Sequence, residues 1–113
     1  MKHISFSLTT DQIVKRTKTV TRRAGWQTLK VGDCLQAVEQ GQGLKKGQSV
    51  RRLAVIRVVA VSFEPLNAIT PEDVVKEGFS GWTPAEFVDM FWRTHRGCRR
   101  DSVVTRIEFE YVE

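Results

Sequence analysis

Between positions 16 and 23 the chain sets Arg16, Lys18, Arg22 and Arg23 among Thr17, Thr19 and Thr21. Cations, hydroxyls and backbone donors concentrated in so short a segment can grip a phosphate or the polar edge of a base. The same composition also suits an edge strand protected by charge. The surrounding sequence is basic as well, with Lys2, Lys15 and Lys30 joining the group against Asp11 alone, so this end of the chain attracts anions. Glu77 is a second candidate on separate grounds. It precedes Gly78, expected to end a helix, and the helix dipole disfavours an anion there by about 0.3–1 kcal/mol. A charge kept against that rule can mark a site, although a surface ion pair with Lys76 or a distant arginine would also explain it. Trp26 and Trp82 fall in loops beside the two segments, where flat rings near cations can stack on a base or else seal the end of a barrel.

Other chemistries find little support. Cys34 and Cys98 lie far apart and outside any CxxC or Cys/His ligand spacing, so no metal and no redox centre is expected, and no cofactor. His95 reads as a cation at a helix end and His3 as a strand residue. Residues 41–47 form a glycine-rich turn with Lys45 and Lys46, but lack the GxxxxGK[ST] order of a phosphate loop.

These side chains must share one fold. A chain of 113 residues is long enough for one core and too short for two ordinary domains, so a single domain over 1–113 is expected. Hydrophobic residues at 41% and charged residues at 27% are ordinary for a folded chain, which sets aside a disordered tail. No apolar run nears the roughly 20 residues that cross a bilayer, and no secretory signal is evident, so no membrane role and a cytoplasmic location are expected.

Alternation at Ile4, Phe6 and Leu8 predicts a first strand, and Thr9 with Gln12 three residues on predicts a capped short helix. The basic stretch 18–23 reads as an extended connection. A strand follows over 34–38, and residues 53–63, apolar almost throughout, predict a strand covered on both faces. Thr70 and Pro71 start a second helix that Gly78 ends. Thr83 and Glu86 form a capping box for a third, whose Phe87, Met90 and Phe91 are expected as core rather than as a stacking platform. Val103, Thr105, Ile107, Phe109 and Tyr111 predict a closing strand with one wet face. The pattern is α+β, dominated by a small β-barrel of about five to six strands with two to three short helices.

Taken in order, these segments resemble the ASCH domains of the PUA-like class. ASCH domains carry a GxKxx(E/T)xR signature after the first helix, and Lys18, Thr21 and Arg23 stand at the matching spacing, with Arg16 in place of the glycine. Residues 29–33, 54–61, 69–79 and 104–112 are similar to further family segments. The resemblance implies a PUA-like barrel and a basic cleft for RNA, a nucleoside or a nucleotide, lined by Lys18, Thr21, Arg22, Arg23 and Glu77, with Trp26 and Trp82 as ligand-stacking candidates. An RNA- or nucleotide-binding module is the leading expectation. One branch of the family, small amidohydrolases acting on N4-acetylcytidine, uses a lysine and a threonine in a KTxT segment similar to residues 18–21, and a glutamate that would fall at Glu77. That likeness implies a catalytic Lys18, Thr21 and Glu77: an attacking Thr21 hydroxyl, Lys18 moving its proton, and Glu77 at the leaving amine. A ribonuclease is a weaker third implication.

Overall fold

The computed structural model describes residues 1–40 and 46–112, so most of the expected 41–47 turn lies outside the described residues. Five strands and three helices follow in the order β1 (His3–Ser5), α1 (Thr10–Val14), β2 (Val20–Arg23), β3 (Cys34–Val38), β4 (Arg52–Pro65), a 3-10 turn (Leu66–Ala68), α2 (Pro71–Lys76), α3 (Pro84–Thr94) and β5 (Val103–Tyr111). The architecture is α+β. Its single mixed sheet has the strand order β1-β3-β4-β5-β2, with β1 parallel to β3 and the other pairs antiparallel.

The sheet is not closed by a backbone ladder, because β1 and β2 are its two edges. Those edges nevertheless approach each other: the Arg23 guanidinium on β2 donates from Nη2 to the Ser5 carbonyl on β1 at 2.7 Å. A side chain thus spans the seam that a barrel would close with strand hydrogen bonds. The main core fills the curl, with Ile4, Phe6, Ile13, Leu35, Ile56, Val58, Ile107 and Phe109 buried together. A second core packs Leu66, Ile69, Val74, Phe87, Val88 and Phe91 against Val104.

Local signals explain most of the helices. The Thr70 side chain accepts from Asp73 N with Pro71 in the first turn, and Thr83 and Glu86 form the full capping box. Two expectations fail. Thr9 precedes α1, but its side chain makes no cap hydrogen bond, and Gln12 reaches across to the Gly78 carbonyl at 3.3 Å instead. Nor is β4 covered on both faces: Val59 is 37% and Phe63 55% exposed. The second core gathers α2 and α3 around the 3-10 turn and the start of β5, leaving that face of β4 in water. A register shift between Val58 and Ala60 also breaks the strand's alternation.

Candidate functional site

The basic segment folds around Lys18. Arg16 adopts φ 60, the left-handed conformation that favours the glycine it replaces in the ASCH signature. This sharp turn lets the Thr17 and Lys18 amides both donate to the Gln12 carbonyl, at 2.9 and 3.3 Å. Next, the Thr19 amide donates to the Lys76 carbonyl at 2.8 Å, and the Tyr111 hydroxyl donates to the Lys18 carbonyl at 2.6 Å. Backbone bonds on either side therefore fix Lys18 beside the carboxyl end of α2, and residues 20–23, expected as a connection, form strand β2 against β5.

Glu77 meets Lys18 there. Lys18 Nζ donates to Glu77 Oε1 at 2.7 Å and to the Glu77 carbonyl at 2.8 Å, satisfying one of the carbonyls that the helix end leaves open. Gly78 makes the approach possible. Its φ is +97, and a Cβ at this position would lie 2.7 Å from Gln12 Cγ and 3.5 Å from Lys18 Cβ. The rule that Glu77 breaks is thus offset by two buried cations, because Arg22 Nη1 also donates to Oε2 at 3.1 Å. Burial pushes the Lys18 ammonium below the ordinary lysine range; the Glu77 carboxylate opposes that shift and the charges of Arg23 and Arg22 add to it. A lysine so placed gives up its proton more readily than a solvated one.

Thr21 and Arg23, two residues apart on β2, bond to each other. Arg23 Nε donates to Thr21 Oγ1 at 3.0 Å, and the guanidinium lies 4.7 Å from the centre of the Phe6 ring. Burial brings Arg23 down to about 10. A hydroxyl oxygen that accepts from a guanidinium carries added positive potential, which favours loss of its own proton.

All four side chains, with Glu77, border one cavity of about 220 Å³. The apolar part of its wall is built from Phe6 and Leu8 beyond β1, Phe79 after α2, and Phe87, Met90 and Phe91 on α3. The α3 stripe is core, as expected, yet it also lines this cavity.

The site departs from the expected one at three places. Arg22 lines the cavity but is held by carboxylates: its Nη2 donates to Glu64 and to Asp73, each at 2.6 Å, while Nη1 holds Glu77. Asp73 also binds Arg106, the cross-strand partner of Arg22, so one carboxylate reconciles two cations placed opposite each other. These contacts hold the Asp73 carboxyl down at about 2, with the Arg106 hydrogen bond the largest cause. Trp26 and Trp82 do not line the cavity. Trp26 instead packs under the Lys2 ammonium at 4.5 Å, and Trp82 against Phe79 at 4.7 Å between ring centres. His95, expected as a helix-end cation, borders the cavity, and burial pushes it below the usual histidine range. Together with Ser5, Ser7 and Thr94 it is a lining residue that sequence reasoning missed. Its spacing from Phe91, four residues along a helix, was the available signal.

Among the described residues, no cluster of His, Cys, Asp and Glu could hold a metal ion. No helix among them is long and apolar enough to cross a membrane.

No protein-family model matches the chain, and no curated protein is significantly similar to it. Solved structures are. The ASCH domain from Lactobacillus crispatus JV V101 superposes with a TM-score of 0.72 at 15% identity, over 98% of this chain and 79% of that one. A protein of Enterococcus faecalis V583 assigned to the DUF984 family superposes with a TM-score of 0.71 at 18% identity, over 99% of this chain and 76% of that one. The chain therefore has an ASCH-like fold.

Proposed function

We propose that the cavity is the active site of an amidohydrolase that removes the acyl group from an N4-acylated cytosine nucleoside. The observation that carries this reading is the buried Lys18–Glu77 pair, closed at 2.7 Å, in the wall of a small cavity that Thr21 shares. A cavity of about 220 Å³ is smaller than the roughly 300–1,000 Å³ that encloses a drug-sized ligand, so it suits a base with its acyl group and leaves the sugar at the mouth. The apolar wall of Phe79, Phe87 and Phe91 offers aromatic surface to a heterocycle, and the polar wall supplies the chemistry.

In the first half-reaction, Thr21 Oγ1 attacks the acyl carbonyl carbon as its proton passes to Lys18 Nζ in the neutral amine form. Arg23 lies where it can stabilise the developing oxyanion. Collapse breaks the carbon–nitrogen bond, the Lys18–Glu77 pair delivers the proton to the exocyclic nitrogen, and the cytosine nucleoside leaves as its free amine. Water, losing a proton to Lys18, then attacks the Thr21 ester, and the carboxylic acid departs as the Thr21 hydroxyl is restored.

The engagement of Arg22 weighs against the other reading, a cleft for an RNA strand, because this cation of the cavity wall is already neutralised by carboxylates. Incubation with N4-acetylcytidine separates the two. Release of cytidine, lost in Thr21→Ala, is expected. Salt-sensitive RNA binding by a protein that leaves N4-acetylcytidine intact would overturn the hydrolase reading in favour of the binding module.

A further inference from the structure

His95 is fixed more firmly than a residue just past a helix end needs to be. Its ring lies parallel to that of Phe91, with centres 3.7 Å apart and planes 3° from parallel. Nδ1 sits 3.0 Å from the Phe91 carbonyl and 3.0 Å from Thr94 Oγ1. The Thr94 hydroxyl has a donor target of its own in the Met90 carbonyl at 2.9 Å, so both neighbours of Nδ1 offer lone pairs. A carbonyl oxygen only accepts, and two lone pairs facing each other would repel. Nδ1 must therefore carry the hydrogen.

That assignment settles the other nitrogen. In a neutral imidazole with Nδ1 protonated, Nε2 is an acceptor, and the ring that bears it borders the cavity. It differs from the charged side chains there, because Lys18, Arg22 and Arg23 are donors and Glu77 is occupied by two of them, while the hydroxyls of the wall can donate as well as accept.

We infer that His95 is a specificity-determining residue of the site, its Nε2 accepting a hydrogen bond from a ligand N–H. This rests on the hydrolase reading above, and in an N4-acylated cytosine the group that fits is the amide N–H next to the scissile bond. With the acceptors of the same ring turned to the donors Arg23 and Lys18, the single ligand donor is left for His95. The site thereby distinguishes a secondary amide from an ester or a fully substituted amide, which lack that hydrogen.

Protonation of Nε2 would turn the acceptor into a donor and add a positive charge to a wall shared with Lys18 and Arg23, with Glu77 and Thr21 the other groups facing it from α2 and β2. Binding should accordingly weaken at low pH, and only where His95 is present.

Three proteins and two readouts test this. Nitrogen-15 NMR of the unmodified protein at neutral pH should show the Nδ1–H tautomer; an Nε2–H tautomer overturns the inference without reference to any substrate. With N4-acetylcytidine, His95→Phe, which keeps the stack and loses the acceptor, should raise KM about tenfold or more with little change in kcat. His95→Gln, which can place an amide oxygen near the position of Nε2, should recover much of that loss. The rise of KM at acid pH should disappear in both variants. Normal turnover by the unmodified protein with unchanged KM in His95→Phe overturns this inference alone. If the unmodified protein neither binds nor turns over N4-acetylcytidine, the hydrolase reading fails and takes the inference with it.

Discussion

Replacing Gly78 with alanine tests the joint that brings Glu77 to Lys18. Two costs are visible. The residue sits at φ +97, where a side chain bearing a β-carbon is disfavoured by about 1–2 kcal/mol. The new Cβ would also stand 2.7 Å from Gln12 Cγ and 3.0 Å from Gln12 Cβ, closer than carbon atoms pack. Relieving that contact by moving α1 or turning Gln12 breaks the 3.3 Å bond from Gln12 Nε2 to the Gly78 carbonyl, at roughly 1–3 kcal/mol for an overpacked site. The sum is about 2–5 kcal/mol, which for a chain of this size corresponds to a fall in Tm of very roughly 8–20 °C. Denaturant unfolding of the single variants and of the double variant with Gln12→Ala resolves the two costs. Shortening Gln12 removes the closest contact, so Gly78→Ala should cost about 1 kcal/mol less in that background while keeping its backbone penalty. A loss below about 0.5 kcal/mol, or one identical in both backgrounds, would refute the steric account of this junction.

Asp73→Asn should lower stability by about 2 kcal/mol near neutral pH, because the carboxyl is held at about 2 in the folded chain against 3.8 when free. The folded value is the lower one, so this stabilisation is complete above about pH 4 and fades as pH falls towards 2; acid titration of the unmodified protein should show that loss and the variant should not. Lys18→Met leaves the buried Glu77 with Arg22 alone, and is expected to cost about 3–5 kcal/mol in denaturant unfolding and about a hundredfold or more in turnover. Arg16→Gly relieves the left-handed backbone but loses the cation 5.1 Å above the Tyr111 ring. It should be more stable than Arg16→Ala by about 1 kcal/mol, measured by thermal unfolding.

Local chemistry made much of this molecule legible before its fold was known. Thr70–Pro71 and Thr83–Glu86 announce their helices through bonds spanning three residues, and Gly78 ends α2 as its sequence position suggests. Glu77 was found by a local rule that it violates. What resisted reading depends on partners far along the chain. Arg22 looked available for a ligand because Glu64, Asp73 and Glu77, the three carboxylates that engage it, lie 42 to 55 residues away. His95 looked like a helix-end cation because the cavity it borders is assembled with residues as distant as Ser5, Lys18 and Glu77, although the Phe91 ring it stacks on is only four residues back. Gln12 chose a carbonyl 66 residues away over the cap of its own helix, and Trp26 and Trp82 turned to packing partners outside the cavity.

In the proposed reaction Lys18, Thr21 and Glu77 act on a ligand as one group, with the Thr21 oxygen forming the new bond. Reaction with N4-acetylcytidine in the presence of hydroxylamine, followed by analysis of the acetyl acceptor, tests it most directly. Acetohydroxamate is expected alongside acetate, and neither from Thr21→Ala. Undiminished release of cytidine by Thr21→Ala would contradict it.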